Sequence, residues 1–101
     1  MKKNKKELEL VRQILTQAIE ISSNSVIDVF VNYSGHVDYI GIQVYLQGWN
    51  VDIKADYKVD IWFGIDKKEH CYKQLKEAVK YLKSLKTDNF SINFIVLFLI
   101  Y

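Results

Sequence analysis

The sequence predicts an α+β protein, a two-layer sandwich of order α-β-β-β-α in which an antiparallel meander carries both helices on one apolar face. Three observations lead there. Residues 51–63, VDIKADYKVDIWF, alternate apolar and charged side chains, the period of a strand with one buried face. Two more alternating stretches precede it, separated by polar segments that contain glycine. Helical periodicity flanks the set on both sides.

The first helix is expected over Lys5 to Ser22. Leu8, Val11, Leu15 and Ala18 make its apolar stripe, widened by Ile14, Ile19 and Ser22. Ser22-Ser23-Asn24-Ser25 ends it, because short polar side chains compete for backbone hydrogen bonds. Val26 to Tyr33 then reads as a strand, with Ile27, Val29, Val31 and Tyr33 on one face. Ser34-Gly35-His36-Val37-Asp38 is its turn, and Gly35 is free to take positive φ. In the second strand, Tyr39 to Leu46, Ile40, Ile42, Val44 and Leu46 point inward. Gln47-Gly48-Trp49-Asn50 makes the next turn. The alternation runs unbroken from Val51 to Phe63, which argues for a single long third strand.

Asp66 and Glu69 have the spacing of a capping box at the start of the second helix. Tyr72, Leu75, Val79 and Leu82, with Cys71, Ala78 and Leu85, form its buried stripe. Residues 1–86 make the domain, and 87–101 are an apolar C-terminal extension. In FSINFIVLFLIY, residues 90–101, both faces of a strand would be apolar. The ten residues from 92 fall short of the ~20 that a membrane helix needs. β-Branched and aromatic content favours a strand-like tail, buried in a homo-oligomer; no membrane partner is expected.

A chain of 101 residues, half hydrophobic and 14% aromatic, can build its own core and is not disordered. A net charge of +2 is too small to imply nucleic acid by itself. The lone cysteine, Cys71, cannot form an intrachain disulfide, and the amphipathic start does not resemble a signal peptide. A reduced, cytoplasmic setting is therefore expected.

Catalytic groups are few, so a non-enzymatic protein without metal or cofactor is expected. His70 and Cys71 are adjacent on a helix and diverge by about 100°. A Cys71–His36 pair would require Cys71 to leave its inward stripe. Asp52, Asp56 and Asp60 share a strand face, but about 13 Å separates one from the next-but-one neighbour on that face. Lys54 and Lys58 stand between them, so they do not make a carboxylate dyad.

The aromatics say more. Phe30, Tyr39, Tyr45 and Trp62 fall on the sheet face away from the helices, and Trp49 sits at a hairpin tip. Large aromatics on a wet face favour a partner protein, although cross-strand aromatic pairs also stabilise sheets without any ligand.

Two resemblances add expectations. The α-β-β-β-α layout, with Ser34-Gly35-His36 between the first strands and Asp66-Lys67-Lys68 opening the last helix, resembles the double-stranded-RNA-binding domain. That family carries a GPxH loop and a KKxAK helix start at those places. Here no proline follows Gly35, and His70-Cys71 replace the Ala-Lys of the helix motif. The resemblance implies phosphate contacts from Lys67, Lys68 and Lys73 and a minor-groove contact from His36. In composition, and in the blocks VIDVFVNYSGH and YLQGW, the chain is similar to small accessory proteins of Gram-positive prophages. That implies a small binding protein, of a kind that inhibits a host system.

Overall fold

Helix α1 spans Lys5–Asn24, followed by strands β1, Asp28–Ser34, β2, Tyr39–Tyr45, and β3, Tyr57–Trp62. Helix α2 spans Lys68–Ile100. This computed structural model describes the backbone of residues 3–100 and the side chains of residues 3–86. The strands form one antiparallel sheet in the order β1-β2-β3, so the expected α+β meander is present. Val29 pairs with Val44, and Ile42 with both Val31 and Val59. Ile40, Ile42, Val44 and Ile61 face the helices and are buried with Ile14, Ile21, Phe63, Leu75 and Leu82.

The helices lie side by side and parallel. Lys68 at the start of α2 reaches Glu7 near the start of α1, at 3.7 Å, and Lys86 pairs with Glu20 further along both. Strand alternation requires this, since three antiparallel strands between them return the chain to the direction of α1.

Several local expectations change. The capping box belongs to α1: the Asn4 side chain accepts from Glu7 N at 2.8 Å, and Glu7 accepts from Asn4 N at 3.0 Å. α2 begins at Lys68, which leaves Asp66 one residue short of the capping position. In the first turn, positive φ falls on Asp38 (φ 49°) rather than Gly35; a short polar side chain tolerates that region. The Asp38 carboxylate is held by Lys3 and by the Tyr33 hydroxyl at 2.9 Å. Burial acts to raise its pKa, but those bonds and the Lys3 charge outweigh it and hold the group below the ordinary carboxylate value.

The third strand is shorter than its alternation suggests. Residues 46–56 form a loop, and Val51 is 79% exposed. Hydrogen bonds that periodicity cannot register hold that loop. Asp56 donates its N–H to the Val44 carbonyl at 2.8 Å and accepts from Leu46 N at 2.7 Å. Asp28 accepts from Trp49 N at 2.6 Å.

The buried face of α1 is also rotated from the expected stripe. Glu7, Ile14, Gln17, Ala18 and Ile21 are buried, while Leu8, Leu15 and Ile19 are exposed. α1 packs against both α2 and β1, and the face so covered includes Gln17 and Ile21 and leaves Leu8, Leu15 and Ile19 outside it.

Where a strand-like tail was expected, the backbone continues α2 as far as Ile100. No glycine or proline separates Leu85 from Phe90, and extending a helix needs no new nucleus. The expected oligomer contact through residues 90–101 concerns side chains outside the described residues. Among the described residues, no helix is long and apolar enough to cross a membrane.

Candidate protein-interaction face

The side of the sheet away from the helices is built in cross-strand rows. The register sets Ser34, Tyr39 and Trp62 in one row, Asn32, Gly41 and Asp60 in the next, and Phe30, Gln43 and Lys58 in a third. Opposite pairing brings the Tyr39 and Trp62 rings to 4.3 Å between centroids, tilted by 39°. Tyr45 pairs with Asp28, one row beyond Phe30, and its ring lies 5.4 Å from that of Phe30.

Trp49 joins this group through its backbone. The Asp28 carboxylate holds its N–H. Gly48, at φ 90°, lets the loop turn close to the Val26 carbonyl, which a Cβ there would meet at 3.3 Å. The indole then lies 6.5 Å from Phe30. Phe30 and Trp49 are exposed, Trp49 by 54%. Tyr45 is only 7% exposed and donates its hydroxyl to Gln43 at 3.2 Å. It therefore backs the Phe30 ring and offers a partner little surface of its own.

Between these aromatic groups lies a cleft of about 260 Å³, lined by Phe30, Asn32, Tyr39, Gly41 and Gln43. Gly41 is its floor. The Tyr39 ring crosses this glycine diagonally, and its hydroxyl donates to the Asp60 carboxylate. That bond, burial and the Asp60 charge, in that order, raise the Tyr39 pKa above the ordinary 10.0.

Sequence reasoning put the five aromatics on or beside this face but missed the cleft and the amides of Asn32 and Gln43. A signal was there: a glycine between Ile40 and Ile42 inside a strand marks a place where something approaches the backbone closely.

The residues proposed for nucleic acid lie elsewhere. His36 is exposed in the first turn, and Lys67, Lys68 and Lys73 are exposed at and beyond the start of α2. Phe63 N donates to Asp38 O at 3.0 Å, which brings that turn beside the connection leading to α2. Cys71 is buried, its thiol 3.7 Å from the Trp62 carbonyl. Burial, above all, pushes its pKa up, away from the thiolate a nucleophile needs. Among the described residues, no three His, Cys, Asp or Glu side chains gather as a metal site.

Compared with protein-family models, with curated proteins and with solved structures, the chain matches none.

Proposed function

We propose that this protein is a non-enzymatic interaction module that holds a partner protein on the outer face of its sheet, as an accessory or inhibitor protein acting in the cytoplasm. The observation that carries the reading is the cleft over Gly41, flanked by the Tyr39–Trp62 pair and the exposed Phe30–Trp49 group. Rings held on strands, as Phe30, Tyr39 and Trp62 are, or fixed through the backbone, as Trp49 is by Asp28, give a partner large contact area at little entropic cost, and such anchors carry much of the energy in interfaces.

Replacing Phe30 and Trp49 together by alanine removes exposed rings and leaves the inner face untouched. Capture of the partner from host extract is expected to weaken by roughly thirtyfold or more, the effect of losing about 2 kcal/mol at an anchor, with an unchanged circular dichroism spectrum. Equal retention of the same protein by both forms would remove the reading.

A second reading rests on the turn carrying His36 lying beside the connection to Lys67 and Lys68, as the resemblance to the double-stranded-RNA-binding domain implies. In that case duplex RNA is shifted in a gel at low salt, and the shift fades steeply as salt rises, because bound phosphates release counterions. Absence of a shift at low salt ends that reading.

A further inference from the structure

The two free edges of the sheet are treated differently. Along β3, the Asp60 carbonyl accepts from the Gln74 side chain at 3.3 Å, the Trp62 carbonyl accepts from Asp66 N at 2.9 Å, and the Cys71 thiol lies against it. The start of α2 and its approach thus cover that edge. On the other side, β1 is not sealed in this way. The Val44 carbonyl is taken by Asp56 on the β3 side, so its register partner Val29 turns its own N–H and C=O to the free edge, as do Val31 and Tyr33. Ser22 Oγ accepts from Val29 N at 3.0 Å. Among the described residues, no hydrogen bond reaches the outward groups of Val31 and Tyr33.

Beside this open edge lies an apolar groove of about 470 Å³ between α1 and β1, lined among others by Leu15, Ile19, Val29, Phe30 and Val31. Leu15 is 50% and Ile19 59% exposed. Apart from the Ser22 bond to Val29 N, the usual protections of an edge strand are missing here. β1 has no proline and no lysine, and its single charge, Asp28, is at its end.

We propose that β1 is where two copies of this chain join, edge to edge and antiparallel about a two-fold axis at Val31, to give one six-stranded sheet. The strand is its own complement in that register. Val31 meets Val31 of the second copy, Val29 meets Tyr33, and Phe30 meets Asn32. Asp28 faces Ser34, so no like charges oppose. The residues whose backbone groups point outward are the ones that pair. Ser22 exchanges its bond to Val29 for water, and the exposed leucine and isoleucine of α1 flank the joint. The joint draws Phe30 and Asn32 toward the second copy and leaves Tyr39, Trp49 and Trp62 outside it; the two variants below change neither Phe30 nor Trp49, so the joint is tested separately from partner capture.

The test uses the full chain and two variants, with solution mass measured across a concentration series. Val31→Pro removes an N–H with no bond inside one copy, and proline is tolerated at such an edge position. Ile19→Lys places a charge on an exposed side chain at the groove. The wild-type chain is expected to reach twice the mass of one copy, and both variants to stay at the monomer mass or weaken association at least tenfold. Amide exchange at Val31 and Tyr33 is expected to slow as wild-type concentration rises. Wild-type chain that remains monomeric overturns the proposal. So does an association that both variants leave intact, which would place it at the C-terminal extension or another surface. Slowed exchange that spares Val31 and Tyr33 overturns it as well.

Discussion

Replacing Phe63 by alanine is expected to lower the free energy of unfolding by about 3–5 kcal/mol, the usual cost of deleting a buried aromatic ring. A domain of this size has about 5–15 kcal/mol in total, so the variant should unfold at a much lower urea concentration with an unchanged slope. Among the described residues, Phe63 is the largest of the side chains that are almost fully buried. It follows β3 directly, and its N–H is bonded to Asp38 O. The Lys3 ammonium lies 4.3 Å from its ring centroid while also pairing with Asp38. Removing the ring leaves a cavity beneath the first turn and takes the aromatic face away from that cation. A midpoint close to wild type would show that the start of the chain and the first turn do not depend on this ring.

Gly41→Val acts on the opposite face. A Cβ at position 41 would stand 2.2 Å from the Tyr39 hydroxyl oxygen and 2.9 Å from its Cζ, closer than atoms approach. The phenol ring must swing away, losing its bond to Asp60 and its packing on Trp62. The expected loss is about 1–3 kcal/mol, as for other overpacked sites, with valine's preference for strands offsetting part of it.

Titration supplies a second readout of that variant. In the wild-type protein the Tyr39 pKa lies above the ordinary 10.0, so its contribution is present below that pH and is lost as pH rises through the folded-state value. Once Tyr39 is freed from Asp60, absorbance titration should show a phenol ionising at lower pH, and the stability gap between the two proteins should narrow in alkali. Tyr57 and Tyr81, stacked at 4.0 Å, also have raised pKa values, mainly through burial; their titration should not change. Identical tyrosine titrations for the two proteins would contradict the geometry at Gly41.

Alternation was a good guide wherever one face of a strand rests on the core. Ile40, Ile42 and Val44 on β2 and Ile61 on β3 are buried as their spacing requires. The same signal misled at residues 51–56, where apolar and charged residues alternate along a loop. The features that close this loop are carboxylates bonding to backbone N–H groups distant in sequence, Asp28 to Trp49 and Asp56 to Leu46. No local period encodes such bonds.

Helical spacing likewise located both helices but not which part of a wide apolar stripe would be covered. That was decided by α2 and β1 packing against α1, a tertiary fact, and it left Leu15 and Ile19 beside the open strand. For the face away from the helices, sequence found the aromatics. It could not separate Tyr45, which is buried against Phe30, from Trp49, which meets solvent.

The parallel helix pair has an electrical consequence. Peptide dipoles in α1 and α2 point the same way, so two poles of roughly half a positive elementary charge each sit at one end of the domain. Like poles set side by side repel, and the Glu7 carboxylate, 1% exposed, lies in the first turn of α1 within 3.7 Å of the Lys68 ammonium that opens α2. Each pole has an acid in its own first turn, Glu7 in α1 and Glu69 in α2, and the Glu7–Lys68 pair ties the burial of Glu7 to the direction in which α2 runs.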